Sequence, residues 1–117
     1  MSRVLGIIAG VVLILSSAAH SLMGWKALGA QLVQAKAPAD LIRGLRIGWH
    51  FGGACMLTFG IIVLMIFIRR LPSLPAFAIS VLYVVFGAWA LAVSDFNPFF
   101  AIFIVPGAML LVAAWPR

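Results

Sequence analysis

The sequence predicts an all-α fold: an integral membrane four-helix bundle, up-down-up-down, with a projecting hairpin between helices 1 and 2. Three observations predict it. Hydrophobic residues make up 66% of the 117-residue chain and charged residues only 9%, against roughly a quarter charged in ordinary soluble domains. The charged residues leave four charge-free runs, 4–25, 47–68, 71–94 and 96–116, of 22, 22, 24 and 21 residues; a helix needs about 20 apolar residues to cross the hydrocarbon core. Stretches such as Val11–Leu15 and Ile61–Phe67 are continuously apolar, whereas barrel strands would alternate and be about half as long. In lipid every backbone N–H and C=O must be paired internally, so each run is expected to be helical.

The elements follow in order as one transmembrane domain over residues 1–117, with spans at about 4–24, 47–68, 76–94 and 98–115. The first span has Arg3, an apolar stretch and then Ser16-Ser17-Ala18-Ala19, which resembles a signal peptide cleaved after Ala19. Its apolar character continues to Trp25, so a retained helix is expected. Residues 26–46 form the polar hairpin. Leu28, Leu32 and Val33 fall at helical spacing, so helix 1 is expected to continue beyond the membrane until Pro38 stops it. Asp40 is the expected N-cap of helix 2, with Leu41, Ile42 and Leu45 on one face. Arg69, Arg70, Pro72 and Pro75 make the next turn. Ser94-Asp95-Phe96-Asn97-Pro98 makes the last, with Asn-Pro as the helix-start signal. Pro106-Gly107 should kink helix 4 or free a carbonyl.

The net charge of +6 does not point to nucleic acid. The basic residues are scattered over helix ends, and no basic run exceeds Arg69–Arg70. Lys36, Arg43, Arg46, Arg69 and Arg70 are expected to contact lipid headgroups or a partner. Arg3, Arg69, Arg70 and Arg117 fall on one membrane face and Lys26, Lys36, Arg43 and Arg46 on the other. This four-to-four tie gives the positive-inside rule no purchase. Both aspartates lie on the hairpin face, and the reading places both termini in the cytoplasm of a bacterial-type inner membrane. The tie is also what a dual-topology protein would show.

Polar groups inside a membrane are costly, so they are the candidates for function. His20 lies near the end of helix 1 and His50 near the start of helix 2, toward one membrane face. Trp25, Trp49, Trp89, Asp95 and Asn97 belong to that end too. Three readings of the histidines compete. In the first, each imidazole bonds a carbonyl or a serine and the aromatics form an interfacial belt. In the second, His20 and His50 are axial ligands of a b-type haem or part of a metal site. In the third, a histidine donates to a quinone carbonyl or lipid headgroup, with Trp25, Trp49 or Trp89 in contact. Gly48, Gly52 and Gly53 admit either a flat ring or close helix packing, since Gly48-x-x-x-Gly52 is a close-packing motif in lipid.

A metal site is not expected: two histidines and a distant Asp95 supply too few ligands, and Cys55 is the single cysteine. No catalytic residue is expected either. The chain has no glutamate, and Ser16, Ser17 and Ser21 are suited to bonding the helix backbone. Ser80 and Tyr83 are expected to face the bundle interior.

In length and span number the chain is similar to the small multidrug resistance transporters, which depend on a glutamate in their first helix; here that helix offers only His20. Gly52-Gly53 and Thr58-Phe59 are similar to elements of small fluoride channels, whose polar filter residues are missing here. Ala19-His20, Trp49-His50 and the apolar run Met56–Leu64 resemble those of small bacterial four-helix inner-membrane proteins. Those carry Ala-His near the end of helix 1 and a second histidine at the start of helix 2. That resemblance covers most of the chain and implies a bundle; it implies no activity.

The expected function is non-enzymatic. It is that of an accessory, assembly or stabilising subunit in contact with the bilayer and with other membrane subunits or further copies of itself, in an energy-transducing complex. No cofactor is expected on this reading. The alternatives are a haem b- or quinone-binding redox protein using His20 and His50, and a small dual-topology transporter.

Overall fold

A computed structural model describes residues 2–115; Met1, Pro116 and Arg117 lie outside the described residues, and with them the Arg117 of the charge tally. The chain forms four helices and, among the described residues, no sheet. Helix α1 runs Ser2–Gln34, α2 Ala39–Arg69 and α3 Leu74–Val93. A 3₁₀ turn, Pro98–Phe100, leads into α4, Ala101–Ala114.

The first three helices are long and apolar enough to cross a membrane. The fourth is apolar but shorter, Pro98–Ala114, and rises only about 27 Å at 2.0 Å per 3₁₀ residue and 1.5 Å per α residue. Its ends are cut by the Asn97 cap and by the extended backbone at Trp115, so its charge-free run overstates the helix.

Two close pairs, α1 with α2 and α3 with α4, are joined mainly where α1 meets α4. Helices α2 and α3 lie farther apart and meet through bulky side chains, with Phe59 edge-on to Tyr83 at 6.5 Å. The core draws on every helix: Ala9 and Leu13, Val63, Ile66 and Phe67, Ala76, Ile79 and Tyr83, Leu110 and Ala114. Ser80 is fully buried and donates to the Phe77 carbonyl at 2.6 Å, and Ser17 donates to the Ile14 carbonyl at 2.8 Å. Both hydroxyls thus satisfy themselves on their own helix, as a polar group in an apolar interior must.

Glycines set the close approaches. A Cβ at Gly60 would lie 3.0 Å from the Ile14 backbone nitrogen and 3.1 Å from the Gly10 carbonyl oxygen. Gly87 and Gly107 do the same for α3 and α4, where a Cβ would meet the backbone nitrogens of Ile104 and Val84, each at 3.1 Å. In lipid, helix association rests on such packing rather than on water exclusion.

The helices end without glycine. Lys36, Arg70 and Asp95 take left-handed conformations, with φ of 53°, 57° and 53°. Each lets the following N–H reach back: Ala37 to the Leu32 carbonyl at 3.0 Å, Leu71 to Ile66 at 2.9 Å and Phe96 to Leu91 at 2.9 Å. This is the Schellman closure, usually built on glycine. At the start of α4 the Asn97 side chain accepts from the Phe99 N–H at 3.0 Å, which fulfils the Asn-Pro start signal.

Asp40 does not cap α2. Pro38, with ψ of 140°, is the N-cap residue, and the Ile42 N–H bonds its carbonyl at 3.1 Å. Asp40 instead sits in the first turn, exposed, 3.5 Å from Arg43, where a carboxylate suits the helix dipole. Pro106 lies buried inside α4 and supplies no N–H to the Ile102 carbonyl.

All four helices share one end. There Arg3 on α1 donates from Nε to the Phe67 carbonyl at 3.1 Å and from a terminal nitrogen to that of Ile68 at 3.3 Å. Trp115 packs edge-on against Phe77 at 6.0 Å, which brings the end of α4 to the start of α3. At the other end the helices are unequal. Helix α3 has 20 residues, about 30 Å, and the same rise measured back from Arg69 along α2 reaches His50. The rest of α2, with the matching part of α1, projects about 15 Å farther; the long axis of the molecule is 52 Å.

Candidate functional site

The structure brings the two histidines and two of the tryptophans together where the hairpin leaves the bundle. They form two crossed pairs, each joining α1 to α2. The His20 ring stacks on the Trp49 ring, with centroids 4.3 Å apart and planes 5° apart. The Trp25 ring lies 6.0 Å from that of His50, tilted by 52°. All four residues are half-buried.

The first pair is locked by reciprocal hydrogen bonds. His20 Nε2 lies 3.0 Å from the Trp49 carbonyl oxygen, and Trp49 Nε1–H donates to the His20 carbonyl at 2.7 Å. A carbonyl only accepts, so Nε2 carries the proton and donates. Neutral His20 is therefore the Nε2–H tautomer, with Nδ1 left as an acceptor.

The local backbone follows from this fit. Residues His20–Gly24 form a π-helical turn. Such turns appear where a side chain intrudes on the α-helical ladder. Here the intruder is Trp49, whose indole lies over Gly24: a Cβ there would sit 2.9 Å from Trp49 Cζ2. Opposite, Gly53 accommodates the Ser21 side chain, and a Cβ at Gly52 would lie 3.5 Å from His20 Nε2. Sequence spacing carries no signal for the π turn; the small Gly24 four residues after His20 is the one hint of a ring seated there.

The other expected site residues are distributed differently. Gly52 and Gly53 do face α1, but Gly48 is exposed and a Cβ there would meet nothing within 4 Å. The Gly48-x-x-x-Gly52 pattern is thus not the packing seam within this chain; Gly53 and Gly60, one α2 face over two turns, take that role. Trp89 is exposed on α3 and packs against Phe86 at 5.5 Å, apart from the His–Trp pairs. Lys36, Arg43 and Arg46 lie exposed on the projecting hairpin, and Arg69 and Arg70 lie exposed at the opposite end.

The hairpin's apolar residues divide. Leu28, Leu32 and Ile42 are half-buried, whereas Val33, Leu41, Leu45 and Ile47 stand exposed beside the basic residues. The expected apolar face of Leu41, Ile42 and Leu45 therefore splits, with Ile42 alone turned inward.

The arrangement bears on each ligand chemistry. Through Nε2, His20 meets a haem iron only by giving up its bond to Trp49, whose indole already covers one face of the imidazole. Trp25 Nε1–H and the His50 ring bond no protein group among the described residues, so they are the donors free to meet a lipid or quinone carbonyl. Among the described residues no three of His, Cys, Asp and Glu gather as a metal-binding group. Cys55 is a half-buried free thiol.

Three comparisons with known proteins find no matching family model, no matching curated protein and no matching solved structure.

Proposed function

We propose that the chain is a non-enzymatic, multi-pass inner-membrane protein whose projecting hairpin docks it onto a larger membrane assembly as an accessory or stabilising subunit. The observation that carries this reading is the hairpin itself. Outside the about 30 Å spanned by α3, it exposes Val33, Leu41, Leu45 and Ile47 beside Lys36, Arg43 and Arg46. Apolar side chains held in water among positive charges suit contact with a partially acidic protein surface. The His–Trp pairs supply a rigid base for that element at the interfacial level where such rings are favoured.

On this reading all four helices cross the bilayer. The contact of Trp115 with Phe77 returns the end of α4 to the level where α3 begins, so α4 crosses nearly the same thickness despite its length. Short spans are accommodated by local thinning of the bilayer. Both described chain ends then lie on one side, assigned to the cytoplasm.

The test is the native size of the tagged chain extracted from its own membranes in mild detergent. The wild type is expected to migrate as an assembly well above the chain in its micelle. Arg43→Glu with Arg46→Glu should release it while it stays membrane-inserted, and Tyr83→Phe, in the core away from the hairpin, should leave the assembly in place. A wild type that migrates alone would contradict the proposal. The redox reading, haem b or a quinone at His20 and His50, is supported by the free donors on Trp25 and His50, and the committed state of His20 Nε2 weighs against its haem form.

A further inference from the structure

The arginine-rich end carries two hollows that the docking proposal does not use. The first, of about 380 Å³, is lined by Arg3, Arg70, Ser2 and Ser73 together with the apolar Ile66, Phe67 and Leu71. The second, of about 340 Å³, is a wholly apolar groove along the wider α2–α3 seam, lined by Ile62, Met65, Ile66, Leu71, Pro72 and Pro75. They share Ile66 and Leu71 as a common wall.

We infer that these hollows together bind one anionic glycerophospholipid, its phosphate between Arg3 and Arg70 and an acyl chain along the Ile62–Met65–Pro75 groove. This rests on the membrane-spanning reading above. Charge complementarity argues for the occupant. Arg3 is held in place by the Phe67 and Ile68 carbonyls, which are neutral acceptors and leave the guanidinium its full charge and its second terminal nitrogen. Arg70 lines the same hollow from the left-handed position that ends α2, a position glycine usually fills. Both aspartates belong to the hairpin half: Asp40 pairs with Arg43, and Asp95 sits in the α3–α4 turn. A held guanidinium at Arg3 and the exposed one of Arg70 on the same hollow suit a phosphodiester, and the hydroxyls of Ser2 and Ser73 add donors for its oxygens or for a glycerol headgroup. A free phosphate would use the first hollow and leave the apolar groove unfilled; the continuity of the two selects a lipid.

The test is native mass spectrometry of the full chain, purified in detergent, with phosphatidylglycerol or phosphatidylcholine added at equal concentration. The wild type should retain phosphatidylglycerol preferentially. Arg3→Gln with Arg70→Asn, the asparagine keeping the left-handed turn, should lower that retention about tenfold, since each basic group near an anionic lipid contributes severalfold. The charge-matched pair Arg43→Gln with Arg46→Gln should leave it unchanged. Leu110→Ala, a core substitution lining neither hollow, serves as a packing control and should not remove the preference. Equal loss from both arginine pairs, no preference over phosphatidylcholine, or displacement of the lipid by inorganic phosphate would each overturn the inference. Release of the chain from membranes by alkaline carbonate would instead sink the spanning reading beneath it.

Discussion

His20 and Trp49 lie face to face across the α1–α2 interface, rings 4.3 Å apart, and each ring bonds the backbone carbonyl of the other residue at 3.0 and 2.7 Å. The relationship is mutual. Stacking orients both rings so that each N–H points at the opposing helix, and the π turn at His20–Gly24 opens the room for the indole. A contact of this kind fixes both the register and the rotation of two helices at the level where they leave the bundle. It makes the hairpin beyond it a held element rather than a loose extension.

The two residues should therefore act as a unit. His20→Ala and Trp49→Phe, alone and combined, are expected to show a coupling of about 1–2 kcal/mol, the sum of a stacked ring pair and modest hydrogen bonds in a membrane protein. Reversible unfolding in mixed detergent micelles measures it. Strictly additive losses would show that the rings do not support each other.

Glycine positions should separate sharply. Gly60→Ala must push against backbone atoms of Ile14 and Gly10 and is expected to cost about 1–3 kcal/mol, as overpacking does. Gly48→Ala meets open space and should be neutral or stabilising by up to about 1 kcal/mol through helix propensity. The same unfolding assay ranks them. A larger loss at Gly48 than at Gly60 would mean that Gly48 packs against a second copy or a partner.

The Tyr83 hydroxyl is buried with no partner among the described residues. Leaving a polar group so costs about 1–3 kcal/mol. Tyr83→Phe keeps the ring contacts with Phe59 and Phe103 and removes the orphan, so stability should hold or rise. A clear loss of stability would reveal a partner for that hydroxyl, such as a buried water.

Orientation is testable with reporters. The contacts of Arg3 with the end of α2 and of Trp115 with Phe77 put both described chain ends on one side. Fusions at either terminus to a protein that fluoresces only in the cytoplasm should both be bright. Fluorescence from one terminus alone would break the four-crossing topology; a half-active pair at both termini, with matching periplasmic activity, would indicate dual topology.

Much of the fold was legible because long apolar runs and the charges and prolines between them can be read one residue at a time. Arg69, Arg70 and Asp95 fall at helix ends or in turns, and Asn97-Pro98 announces a cap. Pro38 does mark the hairpin tip, but it takes the N-cap position that Asp40 was expected to hold. Pairwise facts were not legible. Spacing places His20 and His50 at one end, yet it cannot show that each would choose a tryptophan. Gly48 and Gly52 read as a packing motif, but a four-residue pattern lies on one stripe and says nothing of which way the helix is turned; the seam follows Gly53 and Gly60. The turns at Arg70 and Asp95 were legible from the prolines near them, but the left-handed conformations of Lys36, Arg70 and Asp95 were not, because that position favours glycine.

The measurement that bears most directly on the account is the visible absorption spectrum of the gently extracted, purified and demonstrably folded protein, oxidised and then reduced with dithionite. With His20 held by Trp49 as a helix tie, the spectrum should be featureless in both states and unchanged in His20→Ala and His50→Ala. A Soret band with sharp α and β bands on reduction, lost in either variant, would contradict the account and make the histidines haem ligands.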